Sequence, residues 1–212
     1  MGRRSPKAAA LKMAPLPDLA AIADAAPAKP LRIDLGAGTT KREGFIAVDI
    51  KAFPGVDVVC DLGSQPWPWP DNSVDEAFCS HMLEHLTPDQ RRHFMNELYR
   101  VLKPAPAGKV EPKVTLVTPH WASTRAYGDP THVWPPICEM TYAYYSAAWR
   151  KVNSPHLDGY MMDFEVTQPT YTLHPALQNR AVEHQQERLG WAKEAAQDMI
   201  QVLIKREAPP AT

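Results

Sequence analysis

The stretch Leu31-Arg32-Ile33-Asp34-Leu35-Gly36-Ala37-Gly38-Thr39-Thr40, followed by Phe45-Ile46-Ala47-Val48-Asp49, constrains the fold more than any other part of this chain. It reads as a buried strand, a glycine turn and a second strand ending in a carboxylate. Glycines let the backbone approach a ligand where a side chain would collide with it. An acid at the end of the second strand can accept hydrogen bonds from both hydroxyls of a ribose. The block therefore suits a nucleoside-bearing cofactor, and the identity of that cofactor decides the function.

The remaining pattern extends the same architecture. Residues 56–60 read as a third strand, closed by Asp61, and residues 74–80 as a fourth, preceded by the turn Pro70-Asp71-Asn72-Ser73. Thr87-Pro88-Asp89-Gln90 is a capping box with proline at the first helical position. It opens a helix to about residue 103, with Phe94, Leu98, Val101 and Leu102 on its buried stripe and Pro104 as its stop. Residues 114–118 form a fifth strand, 164–172 a sixth and 199–204 the last. A long helix is expected over 175–195, with Leu177, Ala181 and Leu189 inward. Strands alternating with helices predict an α/β fold with a doubly wound, mostly parallel sheet covered on both faces.

Residues 119–160 show no clean period but carry Trp121, Tyr127, Trp134, Tyr142, Tyr144, Tyr145 and Trp149. They read as a lid or substrate wall inserted into a domain spanning residues 30–212, or else as an ordinary packed excursion. Residues 1–29, rich in Ala, Pro and Lys, read as a flexible tail. Pro6 stands where myristoylation wants Ser or Thr, and Lys12, Pro15 and Pro17 interrupt any secretory apolar centre.

Composition narrows the function classes. A formal net charge of -1 over 212 residues gives no electrostatic footprint for duplex DNA or an anionic membrane. Cys60, Cys79 and Cys138 are scattered, without a CxxC pair, so neither a disulfide framework nor a cysteine zinc site is expected. A reducing cytoplasm is the simplest home. No apolar run approaches the roughly 20 residues of a membrane helix.

Taken together, these blocks resemble the class I S-adenosylmethionine-dependent methyltransferases, especially the small-molecule type in a compact bacterial or phage-like form. Asp34-Leu35-Gly36-Ala37-Gly38 resembles their glycine motif, Val48-Asp49 their ribose-binding acid, and Asp61-Leu62 the turn that reads the adenine. Asn72-Ser73-Val74-Asp75 and His81-Met82-Leu83-Glu84-His85-Leu86 resemble the fourth-strand block, and Tyr99-Arg100-Val101-Leu102-Lys103-Pro104 the helix end before strand five. The resemblance implies a Rossmann-like seven-stranded sheet with its last strand antiparallel, and S-adenosylmethionine as cofactor. By position, Gly36, Ala37, Gly38 and Thr39 would face the methionine part and Asp34 its ammonium. Asp49 and Ile50 would meet the ribose side, Asp61 and Leu62 would bracket the adenine, and Ser80 and His81 would lie beside the sulfonium.

The chain departs from the family pattern in three places. Thr40 replaces the usual third glycine, and Ala105-Pro106-Ala107-Gly108 replaces the usual glycine pair after Lys103-Pro104. The step from Gly36 to Asp49 is also short, against about 20 residues in a dinucleotide-binding unit. Residues 39–43 leave room for one helical turn at most, which thins the wall on one side of the cofactor.

Competing motifs are weaker. His81-Met82-Leu83-Glu84-His85 spells the H-x-x-E-H of inverted zinc peptidases. That chemistry needs both histidines on one helical face, and His81 directly follows a strand. His120, Asp129, His132 and Cys138 match no standard metal spacing, so no metal is expected. A dinucleotide dehydrogenase wants a third glycine where Lys41 stands, and no Pro-Cys nucleophile motif for cytosine methylation exists.

The reading is methyl transfer by in-line displacement to an acceptor, a small molecule being favoured, under residues 119–160. His132 and His120 are the candidate bases and Asp129 the candidate orienting acid. The alternative is a non-catalytic cofactor-binding or interaction module on the same fold.

Overall fold

The computed structural model describes residues 30–111, 113–189 and 191–206. The tail expected over 1–29 lies outside them.

Eight strands form one sheet: β1 (Arg32–Leu35), β2 (Ile46–Asp49), β3 (Val58–Val59), β4 (Glu76–Ser80), β5 (Lys113–Pro119), β6 (Phe164–Val166), β7 (Thr170–Leu173) and β8 (Ala196–Lys205). Their order is β3-β2-β1-β4-β5-β8-β6, with β7 also paired to β8. The first five are mutually parallel, and β8 inserts antiparallel between β5 and β6. The mostly parallel sheet with an antiparallel last strand is thus the expected one. The stretch expected as a single sixth strand breaks into β6 and β7, which makes eight strands rather than seven. Both pair with β8, whose ten residues are long enough to serve them in turn.

In-register neighbours sort the sheet into two faces. Ile33, Leu35, Val48, Ala77, Cys79, Val114, Leu116, Met199 and Leu203 belong to one core cluster with Phe94, Met95 and Leu98 of α1 (Pro88–Val101). α1 begins where the sequence places it. Thr87 Oγ1 accepts from the backbone of Gln90, and the Gln90 side chain accepts from the backbone N–H of Thr87. The Pro66–Pro70 loop docks on this helix: Trp67 packs edge-to-face on Phe94 at 5.1 Å, and Arg100 donates to the carbonyls of Trp67 and Trp69.

The opposite face carries Asp34, Phe78 and Thr115 in register, and here the short first crossover tells. Residues 37–45 make two tight turns, closed by Thr40 N to Ala37 O and Phe45 N to Arg42 O, with no helix. A side chain takes the place of a covering helix: the Arg42 guanidinium lies 3.6 Å from the Phe78 ring centre and 4.0 Å from the Asp34 carboxylate.

Residues 119–160 hold three short helices: α2 (Arg125–Gly128), α3 (Glu139–Ala143) and α4 (Ala147–Asn153). Their aromatics divide, with Tyr142 and Tyr145 in the core and Trp121, Tyr127 and Trp134 exposed. The long helix expected over 175–195 is not formed as one piece. Two short helices stand there, α5 (Pro175–Gln178) and α6 (Val182–Leu189), neither with a buried residue. The apolar positions were too sparse to make a stripe that the sheet could bury. None of the described helices is long and apolar enough to cross a membrane.

Candidate functional site

The site gathers at the carboxyl ends of β1, β2 and β4, where a parallel sheet opens towards ligands. β1 runs into Gly36 and Gly38, both at positive φ, +76° and +59°. The backbone N–H groups of Gly36 and Ala37 both donate to Val48 O, so the turn is clamped to β2. The two glycines have different reasons to be glycine. A Cβ on Gly36 would stand 2.5 Å from Met82 Cγ, whereas a Cβ on Gly38 meets nothing within 4 Å. Gly36 is required by packing, and Gly38 borders open space.

Asp49 closes this cradle. Its Oδ2 accepts from Gly38 N at 2.9 Å and its Oδ1 from Lys51 N at 3.0 Å. Each oxygen keeps a second lone pair for a ligand hydroxyl. Next to it Ile50 is 60% exposed, an uncovered apolar side chain at the rim. Asp61 folds its own turn: Oδ1 accepts from Gly63 N and Oδ2 from Ser64 Oγ. Leu62 is buried beneath it, and Trp67 donates its indole N–H to the Leu62 carbonyl. Asp34 is buried beside Arg42, and burial raises its pKa while the guanidinium opposes the rise. Thr39 is exposed at the tip of the turn.

Ser80 ends β4, and His81 follows at φ +53°, its N–H held by Val117 O. This left-handed residue turns the chain from strand into the 3-10 turn Leu83–His85, so His81 and His85 do not share a helical face. The His81 ring lies between two buried acids, with Nδ1 3.2 Å from Glu84 Oε1 and Nε2 3.8 Å from Asp198 Oδ1. The hydrogen bond to Glu84 raises the His81 pKa above its ordinary value, outweighing burial, which lowers it. Arg125 of α2 anchors Asp198 through Oδ2 at 2.7 Å.

Sequence reasoning missed Asp198 and Arg125. The signal for Asp198 was a lone acid in the apolar run of β8. Glu84 stood in the H-x-x-E-H string, but its partners were assigned along the chain rather than across it.

The three candidate catalytic residues part ways. His120 is 3% exposed and both its nitrogens are engaged: Nδ1 accepts from Ala122 N, and Nε2 faces Glu139 Oε1 at 3.1 Å. That contact, with Tyr171 donating to the same oxygen, holds the Glu139 carboxyl down at about 2. His132 lines a cavity of about 130 Å³ with Ala126, Tyr127, Asp129, Val133, Trp134 and Pro136. Asp129 lies 4.0 Å from His132 Nε2, but hydrogen-bonds instead to Thr131 through both its N–H and its hydroxyl.

Residues 32–106 match the family described as a methyltransferase domain. No curated protein sequence matches the chain. Among solved structures, it is similar to a SAM-dependent methyltransferase from Archaeoglobus fulgidus, at 18% identity and a TM-score of 0.57, over 83% of this chain and 86% of that one. It is also similar to the 1,6-didemethyltoxoflavin-N1-methyltransferase of Burkholderia thailandensis, solved with 1,6-didemethyltoxoflavin and S-adenosylhomocysteine bound. There the identity is 13% and the TM-score 0.50, over 84% of this chain and 72% of that one. A putative methyltransferase from Haloferax volcanii, solved with the Trm112 activator, is 13% identical with a TM-score of 0.52, over 86% of this chain and 85% of that one.

Proposed function

We propose that this chain is a class I S-adenosylmethionine-dependent methyltransferase and that it methylates a small acceptor held between the β4 end and the loop around His132. The observation that carries this reading is the Asp49–Gly38 cradle: a carboxylate with lone pairs to spare, beside open space and an exposed apolar side chain.

The residues present suit the cofactor. Asp49 takes the ribose diol, Ile50 and Leu62 flank the adenine, and the Asp61 turn presents backbone groups to its edge. Gly36, Ala37, Gly38 and Thr39 bed the methionine part, and Asp34 shares its charge between Arg42 and the ligand ammonium. Bound S-adenosylmethionine supplies an activated methyl group on its sulfonium. The protein's task is then in-line positioning. Ser80 and His81 border the reacting end. The carboxylates of Glu84 and Asp198 stabilise a protonated His81, so its ring can take up a proton from the acceptor and hold it. His132 and Asp129 line the acceptor cavity, and His120 positions Glu139 and α3 rather than touching the acceptor.

The 130 Å³ cavity favours a small acceptor or a small protruding group. Three free cysteines suit a reducing cytoplasm, and residues 119–160 act as the acceptor wall of a domain spanning 30–212. The test is a panel of small hydroxyl, amine and carboxylate acceptors, with S-adenosylhomocysteine formation read by mass spectrometry. With an accepted substrate, His81→Gln should lower kcat by about 100-fold or more and leave cofactor affinity unchanged. Equal loss of both would show that His81 binds cofactor instead.

A further inference from the structure

Glu84, His85 and His132 come from two segments 47 positions apart, yet one ligand atom from each lies within 4.8 Å of the others. The two imidazoles meet edge-on, with ring centres 4.8 Å apart. Glu84 is 5% exposed, and its Oε2 has no hydrogen-bond partner. A buried carboxylate oxygen left unpaired costs free energy unless something cationic meets it.

The protons on both rings are placed by their surroundings. His132 Nδ1 lies 3.1 Å from Ala126 O, a pure acceptor, so Nδ1 carries the proton and Nε2 keeps its lone pair. Thr131 Oγ1 donates to Asp129 Oδ1 at 2.6 Å and therefore accepts from His85 Nδ1 at 2.9 Å. This leaves the Nε2 of His85 unprotonated as well. His81 Nδ1 meets the other Glu84 oxygen. Outer hydrogen bonds of this kind orient metal-ligating histidines and carboxylates.

The two segments are also locked together. Arg91, buried in α1, donates to the carbonyls of Leu83, Glu84, Val133 and Pro135, and Val133 N donates to Glu84 O. The backbone that carries the three side chains is thus held by one guanidinium.

We propose that His85 Nε2, His132 Nε2 and the Glu84 carboxylate form a binding site for a divalent transition metal ion. Two imidazoles and one carboxylate suit the Mn²⁺-to-Zn²⁺ series, whereas Mg²⁺ and Ca²⁺ prefer all-oxygen sites. Three protein ligands leave positions open for water or a ligand oxygen, as in catalytic rather than structural zinc sites. The cavity lined by His132 gives access to them. Ligand atoms at about 2.1 Å from a shared ion sit roughly 3–3.5 Å apart, so small side-chain rotations close the ring. The H-x-x-E-H string is then half used: His132, not His81, is the second imidazole.

The test uses untagged full-length protein, stripped with a chelator and checked for folding by circular dichroism. Zn²⁺, Mn²⁺ and Mg²⁺ are titrated separately by calorimetry, and Co²⁺ serves as a visible-absorption reporter. The expected result is one transition-metal ion per chain, bound at least 100-fold more tightly than Mg²⁺, with Co²⁺ bands in the visible. His85→Gln and Glu84→Gln should each weaken binding 100-fold or more. Thr131→Ala, which frees the His85 ring, should weaken it about 10–100-fold, and His184→Ala on α6 should leave it unchanged. The proposal is overturned if folded wild type binds no stoichiometric ion, if Mg²⁺ binds most tightly, or if the folded Gln variants bind like wild type. None of these readouts depends on methyl transfer.

Discussion

Gly36 and Gly38 sit two residues apart in one turn, both at positive φ, yet the same substitution should act on them differently. Alanine in the left-handed region costs about 1–2 kcal/mol at either position. At Gly36 the new Cβ would also stand 2.5 Å from Met82 Cγ and 2.7 Å from Met82 Cβ. Overpacking of this kind adds about 1–3 kcal/mol. Gly36→Ala should therefore lose about 2–5 kcal/mol. For a chain of this size that is a fall in Tm of roughly 4–20 °C. Gly38→Ala meets nothing within 4 Å and should lose only the first term, roughly 2–8 °C. Binding should show the reverse order of interest. If the open space beside Gly38 is the bed of the methionine moiety, its Cβ fills that bed, and S-adenosylmethionine affinity should fall at least 10-fold in a folded protein. Differential scanning fluorimetry and calorimetry on the two variants decide the matter. Wild-type affinity in Gly38→Ala would remove the turn from the cofactor site, and an unchanged Tm in Gly36→Ala would refute the Met82 contact.

Asp49→Asn keeps the shape but presents an amide N–H₂ to one of two backbone donors. S-adenosylmethionine affinity should drop more than 10-fold, with about 1–3 kcal/mol of stability lost, read by calorimetry and urea unfolding. Phe94→Ala removes a fully buried ring packed on Trp67 and should cost about 3–5 kcal/mol, visible as an earlier urea midpoint. The Glu139 carboxyl is held at about 2 in the folded protein, below its ordinary 4.5, so its contribution is present above pH 4.5 and lost as pH falls towards 2. Glu139→Gln should accordingly lower Tm at pH 6, and the gap from wild type should close over that acid window.

What was legible in the chain was what depends on local pattern. The glycine turn, the β2 acid and the Thr87 capping box each rest on a few adjacent residues, whereas the antiparallel direction of the final strand came from the family resemblance; all of these elements are formed in the structure. The short first crossover was legible too, but not its consequence. That Arg42 covers Phe78 where a helix would pack depends on a long side chain folding back across the sheet. The helix expected over 175–195 failed because Leu177, Ala181 and Leu189 make too sparse an inward stripe for the sheet to bury, and the two short helices that form there have no buried residue. The pairing of Glu84 with His132, and of His81 with Asp198, is a product of β-sheet register and loop return. No spacing along the chain encodes either contact.

The central claim is that the edge formed by Gly36–Gly38, Asp49 and Ile50 binds S-adenosylmethionine. Isothermal titration of the full-length protein with that cofactor tests it most directly. The account expects one saturable site per chain, displaced by S-adenosylhomocysteine and abolished or weakened more than 10-fold in Asp49→Ala. Folded protein that takes up no cofactor, or an Asp49→Ala variant that binds as tightly as wild type, would contradict it.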